Sequence, residues 1–149
     1  MSVIKSKRNL ASSQFLIDLS AIESEVDNWC ESQSRKHDNY GLVELSKMVR
    51  FANTHAILAN QRYLKSTEDA EFRKKHFNFA ISFLKLFNIR LTTIKSQNKY
   101  NLSNTKVKRW MKLEKSARKQ IESIKKTDTE RIKKSQNTVN TNGSKSSDN

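Results

Sequence analysis

Apolar residues recur at helical spacing in separate segments of the chain. In the first segment they are three or four residues apart: Phe15, Leu19, Ile22, Val26 and Trp29. This spacing predicts a helix over residues 13 to 31 with one apolar face, and Ser12 or Ser13 is a candidate N-cap. A second helix is predicted over residues 41 to 61 from Leu42, Leu45, Val49, Ala52, Ala56 and Ala59.

Two further helices are predicted in the second half of the chain. Thr67 is a candidate N-cap for a helix over residues 68 to 97, because the acidic residues that follow it favour the positive end of a helix dipole. Its apolar stripe comprises Phe72, His76, Phe79, Ala80, Phe83, Phe87, Leu91 and Ile94. Ser103 is a candidate cap for the fourth helix, whose stripe comprises Val107, Trp110, Leu113, Ala117, Ile121 and Ile124.

The connections between these segments are short and polar, so we predict an all-α fold, an antiparallel up-and-down four-helix bundle over residues 12–126. Residues 1–11 form a basic arm. Residues 127–149 are rich in Lys, Ser, Thr and Asn and are predicted to be a disordered polar tail. With 149 residues, no Pro and two Gly, the chain suits one helical domain and lacks the turn residues that a fold of many short strands requires.

The formal net charge of +14 indicates a polyanionic partner. Much of this charge is local, since residues 99–126 contain ten basic residues against Glu114 and Glu122, a charge of +8. On a helical wheel, five lysines of this segment fall within about 60° of one another, opposite the apolar stripe, along about 27 Å of helix. These five lysines, here called the lysine ladder, are Lys108, Lys112, Lys115, Lys119 and Lys126.

A solvated helix face usually mixes charges of both signs, whereas the ladder carries almost one sign. We therefore predict contact with RNA or DNA rather than a merely solvated face. The candidate binding residues are the ladder together with Arg109, Arg73, Lys74 and Lys75. Because lysine binds phosphate as a point charge, base-specific recognition is not predicted. Binding to an acidic membrane surface is the competing interpretation of the charge.

Other chemistry is sparse. The histidines His37, His55 and His76 lie on different segments without carboxylate or thiol at metal-ligand spacing, so no metal or cofactor is predicted. Cys30 is interpreted as a small buried residue. The tryptophans and phenylalanines are interpreted as core residues rather than as residues that stack on nucleic-acid bases. The single cysteine and the absence of a long apolar run predict a cytoplasmic protein without a membrane span.

One enzymatic pattern remains as an alternative. Arg50 is followed after four residues by His55, which resembles the Arg and His motif of the helical HEPN ribonucleases. Such a pair supplies a phosphate clamp and a general acid or base. Phe51, however, stands where those enzymes have a polar residue. A structural bundle protein associated with RNA is a further alternative.

Several short segments carry a family resemblance. They are the N-terminal eight residues MSVIKSKR, Ala59 with Asn60, Arg73 before Phe77, Ala80 with Ile81, Trp110, and the segment KKTDTER over residues 125–131. Together, over roughly residues 1 to 134, they resemble the accessory variability determinant (Avd-like) proteins of diversity-generating retroelements. Bundle proteins encoded within ribosomal RNA intervening sequences are also similar.

This resemblance implies a role as well as a fold. Members of the family are basic four-helix bundles that assemble as homopentamers, bind nucleic acid and associate with a reverse transcriptase that copies a template RNA with errors at adenines. By this resemblance the chain is not itself an enzyme, and its expected partners are RNA or DNA, a reverse transcriptase and further copies of itself.

Overall fold

A computed structural model of the chain describes residues 13–34 and 40–147, with side chains as far as Gln136. These residues form four α-helices and no strand: α1 Gln14–Ser34, α2 Tyr40–Gln61, α3 Thr67–Gln97 and α4 Asn104–Ser147. The predicted all-α class is confirmed. The basic arm predicted for residues 1–11 and the histidine His37 lie outside the described residues.

The helices form a closed up-and-down bundle. Each helix packs on its neighbours in sequence, and α4 returns to pack on α1. Contacts at the ends fix the antiparallel directions. The indole of Trp29, late in α1, donates to the carbonyl of Asn101 just before α4 at 3.1 Å. At the other end of the bundle, Arg73 early in α3 pairs with Asp128, near the middle of α4.

Capping residues set the start and end of α3 and the start of α4. The Ser66 hydroxyl accepts from the Asp69 N–H at 3.1 Å, so the N-cap is Ser66 and not the predicted Thr67, which is the first helical residue. Asn98 ends α3 in the left-handed region at φ 57°, a conformation that asparagine tolerates. The predicted cap of α4 is confirmed, since the Lys106 N–H donates to the Ser103 hydroxyl at 3.2 Å.

The apolar stripes predicted for α1 and α2 are buried throughout. In α4 the stripe is also confirmed, with Trp110 fully buried and its ring 6.0 Å from that of Trp29 in an edge-on contact. Cys30, the next residue after Trp29, is buried, as predicted. Burial raises the pKa of its thiol to about 12, so the thiol stays protonated and unreactive near neutral pH.

The stripe predicted for α3 is partly wrong. The residues that face the core are Phe77, Ala80, Ile81, Leu84, Phe87, Leu91 and Ile94. Phe72, His76, Phe79 and Phe83 instead lie on the outer side of the helix, half-buried or exposed. The cause is that α3 carries two apolar stripes at helical spacing, and the prediction joined the first half of one to the second half of the other.

The packed part of the fourth helix extends beyond the boundary predicted near residue 126. Asp128 is buried against α3 by its ion pair with Arg73. The packed part of the bundle therefore includes Asp128, because a carboxylate is stable in a buried position only when a cation of the folded protein pairs with it.

The acidic residues of α1 face the neighbouring helices. Asp18 accepts from Ser116 at 3.2 Å and from Gln120 at 3.1 Å, both in α4. Asp27 lies 3.8 Å from Arg50 of α2 and accepts a short hydrogen bond from Ser46. These carboxylates are therefore engaged within the bundle.

Candidate nucleic-acid interface

The lysine ladder lies on the outer side of α4. All five ladder lysines are exposed, whereas Trp110, Ala117 and Ile121 on the opposite side of the helix are buried. Since α4 rises about 1.5 Å per residue, the ladder from Lys108 to Lys126 is about 27 Å long. Successive phosphates of one DNA strand are separated by about 3.4 Å along the helix axis, so a ladder of this length can contact several phosphates.

Three of the carboxylates on or beside α4 are bound to groups other than the ladder lysines. Arg109 donates to both carboxylate oxygens of Glu25 of α1, with shortest distances of 2.8 and 2.7 Å, and the indole of Trp110 donates to the same carboxylate at 3.1 Å. These hydrogen bonds, chiefly those from Arg109, hold the pKa of Glu25 below its ordinary value. Glu122, which does share the outer side of α4, lies 3.7 Å from Lys125.

Glu114 is the least expected of these acids, because it is fully buried within the bundle. It accepts from the Arg118 guanidinium at 3.0 Å and from the Asn88 side-chain amide of α3. No ladder lysine forms an ion pair with a carboxylate in the residues whose side chains are described. The positive charge of the ladder is therefore available to a ligand.

Two of the candidate binding residues are engaged inside the protein. Arg109 is held by Glu25 as described above, although its side chain remains half-exposed. The side chain of Arg73 is only 11% exposed and pairs with Asp128 at 2.8 Å. The same guanidinium donates to the carbonyls of Ala59 and Arg62, at 3.0 and 2.7 Å. Arg73 thus ties α2, α3 and α4 together and is not presented to a ligand.

Lys74 and Lys75 are both exposed but lie on different sides of α3. Lys74 lines a groove of about 260 Å³ between α3 and α4 together with Lys125 and Lys133. It therefore adjoins the basic surface of α4. Lys75 lies beside His76 on the outer side of α3, away from the ladder.

Arg50 and His55 do not converge on one site. The Arg50 guanidinium points towards Asp27 of α1, whereas the His55 ring contacts α3. There the Nδ1 atoms of His55 and His76 are 2.8 Å apart, and the ring centroids are separated by 5.1 Å with only 19° between the planes. This geometry is that of two rings meeting edge to edge through one N–H···N hydrogen bond.

The histidine pair predicts a dependence of stability on pH. Burial lowers the pKa of both residues, and the positive charge of His76 lowers that of His55 further. Histidines of the unfolded chain titrate near 6.5. The unfolded state therefore binds more protons just below that pH, and the free energy of unfolding should fall as the pH decreases from about 6.5. Urea unfolding at a series of pH values measures this slope.

The double variant His55→Phe/His76→Phe is the control for this prediction. It keeps aromatic side chains at both positions and leaves His37 in place. Its free energy of unfolding should fall less steeply between about pH 6.5 and 5 than that of the wild type. Equal slopes for the two proteins would assign the dependence to other groups.

Within the described side chains, no three His, Cys, Asp or Glu residues cluster as a metal site does. None of the described helices combines the length and the hydropathy needed to cross a membrane. Comparisons with protein-family models, with curated proteins and with solved structures yielded no match to this chain.

Proposed function

We propose that the chain is a non-enzymatic nucleic-acid-binding protein whose lysine ladder contacts the phosphate backbone. The proposal rests on the alignment of five exposed lysines on one side of α4, while Glu25, Glu114 and Glu122 pair with other residues. A row of like charges along a helix repels itself, and a polyanion relieves that repulsion.

The type of residue in the ladder bears on specificity. Arginine makes bidentate contacts to guanine edges, but the one arginine among the α4 candidates, Arg109, is bound to Glu25. The remaining cations are lysines, which position a backbone without reading sequence. The expected ligand is therefore RNA or DNA of any sequence.

The accessory role is proposed from the family resemblance. In this proposal the protein works in the cytoplasm with a reverse transcriptase and its template RNA in a diversity-generating retroelement, and it self-associates. The bundle fold and the basic surface of α4 are compatible with this role. The neighbouring genes test it: a reverse-transcriptase gene and near-identical repeats that differ at adenines are expected, and an antitoxin gene would contradict it.

The arrangement of apolar and basic surfaces argues against a membrane partner. A membrane-bound amphipathic helix inserts its apolar side beside its basic flanks. In α4 the apolar side is the core of the bundle, with Trp110 and Ile121 fully buried. The ladder can therefore bind lipid headgroups only electrostatically, without insertion of apolar side chains into the membrane.

Direct titration tests the binding proposal. Two labelled single-stranded RNAs of unrelated sequence, titrated at several salt concentrations, should bind with similar affinity, and the affinity should fall as salt rises. Vesicles containing acidic lipid, at equal salt, should bind more weakly. Tighter binding to the vesicles, or no binding to either RNA, would contradict the proposal.

The same samples test the ribonuclease alternative. In this chain Arg50 and His55 contact different helices, so we expect the RNA to remain intact on a denaturing gel without added metal. Cleavage that His55→Ala abolishes would favour the ribonuclease over the accessory protein.

A further inference from the structure

A continuous apolar surface lies on the outside of α2 and α3, apart from the lysine ladder. Its residues, here called the outer seam, are Phe51, His55, Leu58, Phe72, His76, Phe79, Phe83 and Leu86. The phenylalanine and histidine rings of this set touch one another, with centroid distances of 5.3 Å for Phe51 and Phe83 and 5.0 Å for His55 and Phe79. Phe79 is nevertheless 41% exposed and Leu86 44% exposed. Exposed apolar surface of this kind marks an interaction site more often than a solvated face.

The part of the outer seam on α3 has a symmetric pattern along the helix. Phe72 and Leu86 each lie seven residues from Phe79, on opposite sides of it. Seven residues are close to two helical turns, so all three side chains project within about 20° of the same direction. The apolar residues on this side of α3 are therefore placed symmetrically about Phe79.

Two residues of opposite charge flank these three apolar residues along α3. Glu68 and Arg90 each lie eleven residues from Phe79, close to three turns, and so share its side of α3. Both are exposed, and neither forms an ion pair with any described side chain. A helix whose exposed face carries an acid at one end, a base at the other and apolar residues between them is complementary to an antiparallel copy of itself.

We infer that two copies of the chain associate through the outer seam, with the α3 helices antiparallel about a twofold axis at Phe79. In this arrangement Phe79 packs on the partner's Phe79, and Phe72 packs on the partner's Leu86. Glu68 then pairs with the partner's Arg90, and the symmetry forms this ion pair twice. Such an isologous contact closes on itself and yields a dimer, which differs from the homopentamer that the family resemblance implies.

Two other features of the outer seam suit this contact. Lys75 falls opposite the partner's Phe83, where an ammonium group over an aromatic ring is attractive. On the α2 side of the seam, the Nδ1 atoms of His55 and His76 bond to each other, so neither Nδ1 is left unpaired in the contact. The ladder lies on the outer side of α4, so association through α2 and α3 leaves it accessible.

Charge reversal tests the register of the dimer. In Glu68→Arg both pairs become Arg with Arg, and in Arg90→Glu both become Glu with Glu. Each single variant should raise the dimer dissociation constant about tenfold or more. The double variant Glu68→Arg/Arg90→Glu restores both pairs and should return the constant to near the wild-type value. Sedimentation equilibrium without RNA measures all four proteins, so the outcome is independent of nucleic-acid binding.

Truncation of the central contact is the second test. Phe79→Ser should weaken the dimer, whereas Ile17→Ser, which removes an apolar side chain that is 52% exposed on α1, should not. The wild type is expected at twice 17.3 kDa at high micromolar concentration. A wild-type monomer at that concentration, a mass of five copies, single reversals without effect or a double variant that fails to recover would each overturn the inference.

Discussion

Replacement of four ladder lysines by glutamate should reduce RNA affinity by about 100-fold near 0.1 M salt. The variant is Lys108→Glu/Lys112→Glu/Lys115→Glu/Lys119→Glu. Each lysine that neutralises a phosphate releases counterions, so the loss of four contacts should also lower the slope of log affinity against log salt by about 3 for a single strand. Fluorescence anisotropy with labelled RNA measures both quantities.

A matched variant separates the ladder from net charge alone. Lys47, Lys65, Lys85 and Lys99 are also exposed but lie on α2, α3 and the connections between helices. Their replacement by glutamate changes the net charge equally, yet should cost less than about tenfold in affinity because only long-range attraction is reduced. Equal losses for the two variants would show that the protein binds by overall charge and not through α4.

Replacement of Arg73 by alanine should destabilise the fold by about 3 to 5 kcal/mol. The substitution leaves the carboxylate of Asp128 buried without its cation, and it removes the donor to the carbonyls of Ala59 and Arg62. A chain that ends at Lys126 lacks Asp128 and leaves Arg73 unpaired, so it should be destabilised to a similar degree. Urea unfolding followed by circular dichroism measures the loss.

The pair of Arg62 and Asp69, in which the arginine is exposed, is the control for this prediction. Arg62 is well exposed to solvent, although its guanidinium lies 2.7 Å from the carboxylate. Exposed pairs contribute little, so Arg62→Ala should cost no more than about 1 kcal/mol. Comparable losses for Arg62→Ala and Arg73→Ala would contradict the structural role assigned to Arg73.

The helices were predictable because their signals are local. Spacings of three and four residues identify the buried faces of α1, α2 and α4, and Ser103 marks the start of α4. The exposure of the ladder also followed from sequence, since a wheel of α4 places its lysines opposite Trp110. These features depend on neighbours within a few turns of the same helix.

The remaining features depend on contacts between helices that are distant in sequence. A wheel cannot decide which of two apolar stripes of α3 faces the core, although Phe77 and Leu84 were a sign of the second stripe. Arg73 looked like part of a basic cluster because its partner Asp128 lies 55 residues away. The burial of Glu114 likewise depends on Asn88 of α3.

Lysine footprinting on the wild-type protein measures directly whether RNA lies along the lysine ladder. The protein is treated briefly with an acetylating reagent, with and without saturating single-stranded RNA, and the modification of each lysine is measured by mass spectrometry. We expect RNA to protect Lys108, Lys112, Lys115, Lys119 and Lys126, while Lys47, Lys65, Lys85 and Lys99 react as in the free protein. Uniform protection, or protection confined to lysines outside α4, would contradict the assignment of the lysine ladder as the nucleic-acid interface.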